Sequence, residues 1–155
     1  MLTCDRYHLP TTLHEALTLW AAAPGGSRLV AGATDLLPWA REGRAGEVHI
    51  PDLVDLSRVA ELHGYTMAKG RVRLGANTVW QAFLTDNALR RLLPCMPHCA
   101  IWFADDQIRE QATLAGNLAN ASPVADGTPP VAALNGVLEL AHLEGDTIVA
   151  RTVAV

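Results

Sequence analysis

Two short runs of small residues constrain this chain more than any other feature. Ala31-Gly32-Ala33-Thr34-Asp35-Leu36 follows an apolar run, and Thr113-Leu114-Ala115-Gly116-Asn117 follows Gln107-Ile108-Arg109. Small residues in a turn let successive backbone N–H groups form a concave surface, and they keep side chains out of the way of an approaching anion. Each run alone reads equally well as an ordinary glycine turn, since neither has the GxGxxG or P-loop spacing of a nucleotide fingerprint. To hold one diphosphate together, both would have to face the same ligand.

The flanking sequence supplies elements that could carry those turns. Thr12-Leu13-His14-Glu15 is a capping box, in which hydroxyl and carboxylate each satisfy an orphan amide at a helix start. Leu13, Ala16, Leu17 and Trp20 follow on one helical face, and Pro24-Gly25-Gly26 supplies the stop. Arg28 to Ala31 reads as a buried strand feeding the first small-residue turn, with Thr34-Asp35 capping a short helix to about Arg41. His49 to Leu56 reads as a second strand, and Ser57-Arg58 marks the exit from a first lobe. Beyond it, Leu62 to Met67 and Arg71 to Leu74 flank Ala68-Lys69-Gly70 as a hairpin. Thr78 to Leu84 and Leu89 to Phe103 have helical spacing, broken at Pro94 and Pro97. Val137 to Leu143 and Thr147 to Val153 form a second hairpin around Glu144-Gly145-Asp146.

Bulk properties exclude several classes. With 155 residues, half of them hydrophobic, the chain suits one domain or two small lobes. A net charge of -4 gives no footprint for phosphate backbones, so nucleic acid is excluded as a partner. No segment approaches the roughly 18 to 20 uninterrupted apolar residues of a membrane span. The charged pair in MLTCDRYHLP stands where a secretory leader would be apolar, so the expected location is cytoplasmic. Cys4, Cys95 and Cys99 imply neither a disulfide framework nor a four-ligand zinc site, and no metal is expected. The scattered His8, His14, His63 and His142 support no hydrolase triad. Trp20, Trp39, Trp80 and Trp102 are each assigned to core packing, and Arg109 to pairing with Asp105 or Asp106.

Taken in order, the motifs resemble a known family. Ala31 to Leu36 is similar to a segment of the form AGGTDL, and Gln107 to Asp126, QIREQATLAGNLANASPVAD, to one of the form QIRNxATxGGNxxNASPxAD. Both occur in the flavoprotein subunits of molybdenum hydroxylases of the xanthine and carbon monoxide dehydrogenase type, which carry a PCMH-type FAD-binding domain. Pro51 to Leu62 and Arg71 to Thr78 also resemble the linking strands of that family. The resemblance implies an α+β fold: a small parallel α/β lobe over residues 1–57, then a larger lobe over 58–155 with a mainly antiparallel sheet and flanking helices. It also implies that the C-terminal domain of the family is absent here.

FAD, bound non-covalently, would lie extended between the lobes. The resemblance places Ala31, Gly32, Ala33, Thr34, Asp35 and Leu36 on one side of its diphosphate and Thr113, Ala115, Gly116 and Asn117 on the other. Asp126 would stand near the ribose, with Asn120 and Ser122 shaping the turn leading there. The redox chemistry would belong to the cofactor, with no catalytic side chain. The implied partners are a molybdopterin-binding large subunit and a 2Fe-2S small subunit, since the cysteines here are too few and badly spaced to ligate a cluster.

Three positions depart from the pattern. Ala33 and Ala115 each replace a glycine, and Glu110 replaces the asparagine of QIRN. If either alanine position needs a positive φ, the methyl group would cost roughly 1 kcal/mol. Ala33 and Ala115, with the expected absence of the C-terminal domain, motivate the alternative of a flavin-free assembly module that keeps only the fold.

Overall fold

Thr12 starts the first helix as its sequence dictates. In the computed structural model, which describes residues 1–23, 25–42 and 49–155, the Glu15 amide donates to Thr12 Oγ1 at 3.2 Å. The Glu15 carboxylate reaches back one residue farther than a standard capping box, accepting from the Thr11 amide at 2.9 Å. The helix, α1, spans Leu13–Ala22. Pro24 of the expected stop lies outside the described residues.

Three short strands form a parallel sheet: β1 (Arg6–His8), β2 (Ser27–Val30) and β3 (Asp52–Asp55), in the order β1-β3-β2. Parallel neighbours need crossovers, supplied by α1 between β1 and β2 and by α2 (Leu36–Glu42) between β2 and β3. Successive residues of central β3 point to opposite faces. Val54 accordingly packs with Ala16 of α1 and Val59, whereas Leu53 packs with Val30 and Leu36 of α2. Asp52 closes the sheet ionically: its carboxylate takes bonds from Arg6 and His8, each at 2.7 Å, and the Arg6 guanidinium holds it below the ordinary carboxylate range.

All strand pairing after residue 58 is antiparallel and occurs as two ribbons. β4 (Tyr65–Ala68) pairs with β5 (Arg71–Leu74), and β6 (Val137–Glu144) with β7 (Thr147–Ala154). Lys69 and Gly70 both have positive φ, 51° and 72°, the geometry that matches a two-residue turn to strand twist. Arg73 joins the ribbons by pairing with Glu139 at 2.7 Å.

Between the ribbons lie α3 (Ala82–Thr85), α4 (Asn87–Leu92), α5 (Cys95–Ala100), α6 (Asp106–Arg109), α7 (Leu114–Ala119) and α8 (Thr128–Ala133). Pro94 separates α4 from α5 as expected, but Pro97 breaks nothing. It is the third residue of α5, in the first turn, where an amide would have no intrahelical partner. The core of this part holds Trp80, Phe83, Leu89, Met96 and Leu114, with Trp80 stacked on Phe103 at 4.3 Å.

The tryptophans do not share one fate. Trp80 is wholly buried, Trp20 is partly exposed, and Trp102, expected in the core, is 87% exposed. Its neighbours explain the difference: Ala104 has φ 44°, so the chain turns sharply there and presents Trp102 outward while Phe103 takes the inward position. No described helix is long and apolar enough to cross a membrane.

Candidate functional site

The first small-residue run links β2 to α2. Buried Val30 and Leu36 anchor its two ends, and Ala33 between them has φ 53°. Among the described residues, none of the amides of Gly32, Ala33, Thr34, Asp35 and Leu36 donates a hydrogen bond within the chain; the first helical bond of this segment is Leu37 N–H to Ala33 O, 3.0 Å. Five consecutive unspent N–H groups around a left-handed residue make a concave, electropositive surface for an anion. The Asp35 carboxylate does not cap α2; Oδ2 accepts from Asn120 Nδ2 at 2.9 Å.

The second run is pinned against residues 78–81. Trp80 N–H donates to Ala112 O at 3.0 Å, Gln81 N–H to Arg109 O at 3.0 Å, and Leu114 N–H to Thr78 O at 2.9 Å. Thr113 then caps α7, its hydroxyl accepting from Gly116 N–H at 3.0 Å, and Asn117 N–H donates to Thr113 O at 3.0 Å. The amides of Gly116 and Asn117 are therefore spent inside the helix, contrary to the expectation that they face a ligand. The amides of Thr113 and Ala115 have no acceptor among the described residues. Asn117 Oδ1 takes the Gly127 amide at 2.9 Å, fixing the turn that carries Asp126. Arg109 is structural: its guanidinium binds Phe103 O at 2.7 Å, Ala104 O at 2.9 Å and the Asp106 carboxylate.

The two runs meet. A Cβ placed on Gly32 would lie 2.0 Å from Gln111 O and 3.1 Å from Ala112 Cα, so glycine is required there by backbone approach rather than by φ. The Asp35–Asn120 bond ties the runs together at a second point. A cleft of about 250 Å³ opens beside the Gly32 contact, walled by Ser57, His63, Asn77, Val79 and Glu110 with Thr113. Among the described residues its lining includes no Lys or Arg. Ser122 Oγ accepts from Val124 N–H at 3.3 Å, Asp126 is exposed, and no hydrogen bond among the described residues joins either to the Gly32 run.

The alanine departures differ in kind. Ala33 does occupy a left-handed conformation, whereas Ala115 lies inside α7 and carries no such strain.

Residues 3–152 match the family described as the FAD binding domain in molybdopterin dehydrogenase. The chain belongs to this family. It is 35% identical over 135 residues, 86% of its length, to the xanthine dehydrogenase FAD-binding subunit of Escherichia coli O157:H7, covering 45% of that protein. It is 32% identical over 93% of its length to the carbon monoxide dehydrogenase medium chain of Afipia carboxidovorans, covering 49% of it. Among solved structures, carbon monoxide dehydrogenase from Hydrogenophaga pseudoflava superposes over 99% of this chain and 51% of that one with a TM-score of 0.88 at 26% identity. Quinoline 2-oxidoreductase from Pseudomonas putida 86 gives 0.87 at 28% identity over the same shares. The chain thus spans about half the length of these relatives. The cofactor of this FAD-binding domain is FAD. Its dianionic diphosphate suits the five unspent amides from Gly32 to Leu36. The flavin-free alternative finds no support.

Proposed function

We propose that this chain holds FAD in an electron-transfer subunit of a molybdenum hydroxylase whose other subunits bind molybdopterin and 2Fe-2S clusters. The observation that carries the reading is the run of unspent amides from Gly32 to Leu36, set directly against the Gln111 backbone. In this reading Ala31 to Leu36 cradle one side of the diphosphate. Thr113 and Ala115 offer amides from the other side, Gly116 and Asn117 shape that helix start, and Asn120 braces Asp35. Ser122 and Asp126 stand toward the adenosine ribose. The bound FAD supplies the redox chemistry, taking electrons from iron–sulfur clusters and passing them to an external acceptor. The protein contributes orientation and electrostatics, and no side chain acts as nucleophile or base. We assign residues 1–57 and 58–155 to the two lobes between which FAD lies, and the complex to the cytoplasm.

The test is a titration of the purified chain with FAD, followed by mixing the loaded protein with a reduced 2Fe-2S partner subunit. Saturable binding near one FAD per chain and rapid bleaching of the flavin absorbance are expected. A chain that takes up no FAD refutes the assignment. Binding without reduction by the partner refutes the electron-transfer part.

A further inference from the structure

Asn77 is only 9% exposed, yet it lies at the wall of the cleft beside Gly32. Its backbone amide donates to Leu62 O at 2.8 Å, which fixes the residue in place. Its side-chain Nδ2 donates to Leu56 O at 2.7 Å. A carbonyl can only accept, so this contact fixes which end of the amide faces Leu56. Oδ1 is left over and has no donor among the described residues. It is also not sealed in the core, where the one buried side-chain polar atom without a partner is Trp80 Nε1.

His63 supplies no donor to Oδ1. Its Nε2 lies 2.8 Å from Ser57 O, so that nitrogen carries the hydrogen, and its 3.3 Å approach to Asn77 Nδ2 is a packing contact between two donors. Asn77 Oδ1 therefore remains an accessible acceptor at the cleft wall, on a residue whose side-chain amide is held by Leu56 O and whose backbone is held by Leu62 O.

We propose that Asn77 is a cofactor-binding residue whose Oδ1 accepts a hydrogen bond from a hydroxyl group of FAD. The inference rests on the FAD reading above. The cleft starts at Gly32, the first residue of the amide run, so the group entering it is the one next to the diphosphate. In FAD that group is hydroxylated on both sides, as ribityl on the flavin side and ribose on the adenosine side. Both sources offer the same donor chemistry.

The test is a set of titrations of the full chain and its Asn77→Ala variant with FAD, FMN and ADP. Asn77→Ala is expected to weaken FAD about tenfold, the effect of losing one hydrogen bond. It should weaken either FMN or ADP to the same degree and leave the other within about twofold, which identifies the hydroxyl as ribityl or ribose. Unchanged FAD affinity overturns the proposal, as does an equal loss for both half-ligands, which would mean diffuse damage. Because Asn77→Ala also releases Leu56 O, FAD analogues lacking single hydroxyls are titrated against the unmutated chain as well. One analogue should reproduce the loss and show no further loss with Asn77→Ala; additive losses for every analogue refute the bond. An unmutated chain that does not bind FAD at all refutes the cofactor assignment itself, a distinct outcome.

Discussion

Asn120 donates its side-chain amide to the Asp35 carboxylate at 2.9 Å, joining positions 85 residues apart in the chain. Together with the close approach of Gly32 to Gln111, this bond sets the spacing between the two small-residue runs. Its partner is a carboxylate, so it is stronger than a neutral pair, although solvent weakens it. Asn120→Ala should lower FAD affinity about fivefold, corresponding to ~1 kcal/mol, with little change in thermal stability. Asp35→Ala should have a similar effect, and the double variant should be no weaker than the worse single one. Isothermal titration of the three variants checks this; additive losses would show that the two residues act separately.

The two alanine departures should respond oppositely to glycine. Ala33 has φ 53°, a conformation unfavourable for an L side chain. Ala33→Gly should stabilise the chain by about 0.5 to 1 kcal/mol, a rise of a few degrees in Tm. Ala115 lies in α7, where glycine is the poorer helix former, and Ala115→Gly should destabilise by about 0.5 to 1 kcal/mol. Thermal unfolding of both variants reads the signs directly.

Two ionic contacts of the parallel sheet give opposite pH dependence. Asp52 is held below its ordinary value by the Arg6 guanidinium and then by His8. A carboxylate depressed in the folded state stabilises above its unfolded pKa, and that contribution disappears as pH falls through the folded value. The stability difference between the unmutated chain and Asp52→Asn should therefore shrink below about pH 4. Tyr7 donates to the Asp55 carboxylate, which pushes the phenol up to about 12. A raised acid stabilises below its unfolded pKa and loses this effect as pH rises through the folded one. Ultraviolet titration should show Tyr7 still protonated at about pH 10.5, and Asp55→Asn should return it toward the ordinary value near 10.

Local chemistry was legible in the sequence wherever a few adjacent residues determine it. Thr12 and Glu15 announce α1, Ala68-Lys69-Gly70 announces a hairpin, of which Lys69-Gly70 forms the turn and Ala68 ends the strand, and the first small-residue run announces a turn with unspent amides. Features made by distant partners were not. β1 exists because Arg6 and His8 meet Asp52 across more than 40 residues, and nothing near Arg6 signals this. Ser57 and His63, before the first ribbon, and Asn77, just after it, wall the cleft only because the chain on both sides of that ribbon folds past Gly32. Thr113 lines the cleft, but its role as the cap that occupies the Gly116 amide was not legible, since its spacing from Gly116 shows only that a cap can form. Trp102 has core-like composition and a surface position, decided by the left-handed turn at Ala104.

The central claim is that the amides of Gly32 to Leu36 bind the diphosphate, and the direct measurement is an amide proton–nitrogen NMR titration with FAD of the unmutated chain and Gly32→Ala. In the unmutated chain these five resonances should shift most and saturate together. Gly32→Ala, whose Cβ would lie 2.0 Å from Gln111 O, must displace this loop from Gln111 and should lose these shifts at the same FAD concentration. Saturable FAD binding that leaves the five amides unmoved would contradict the account.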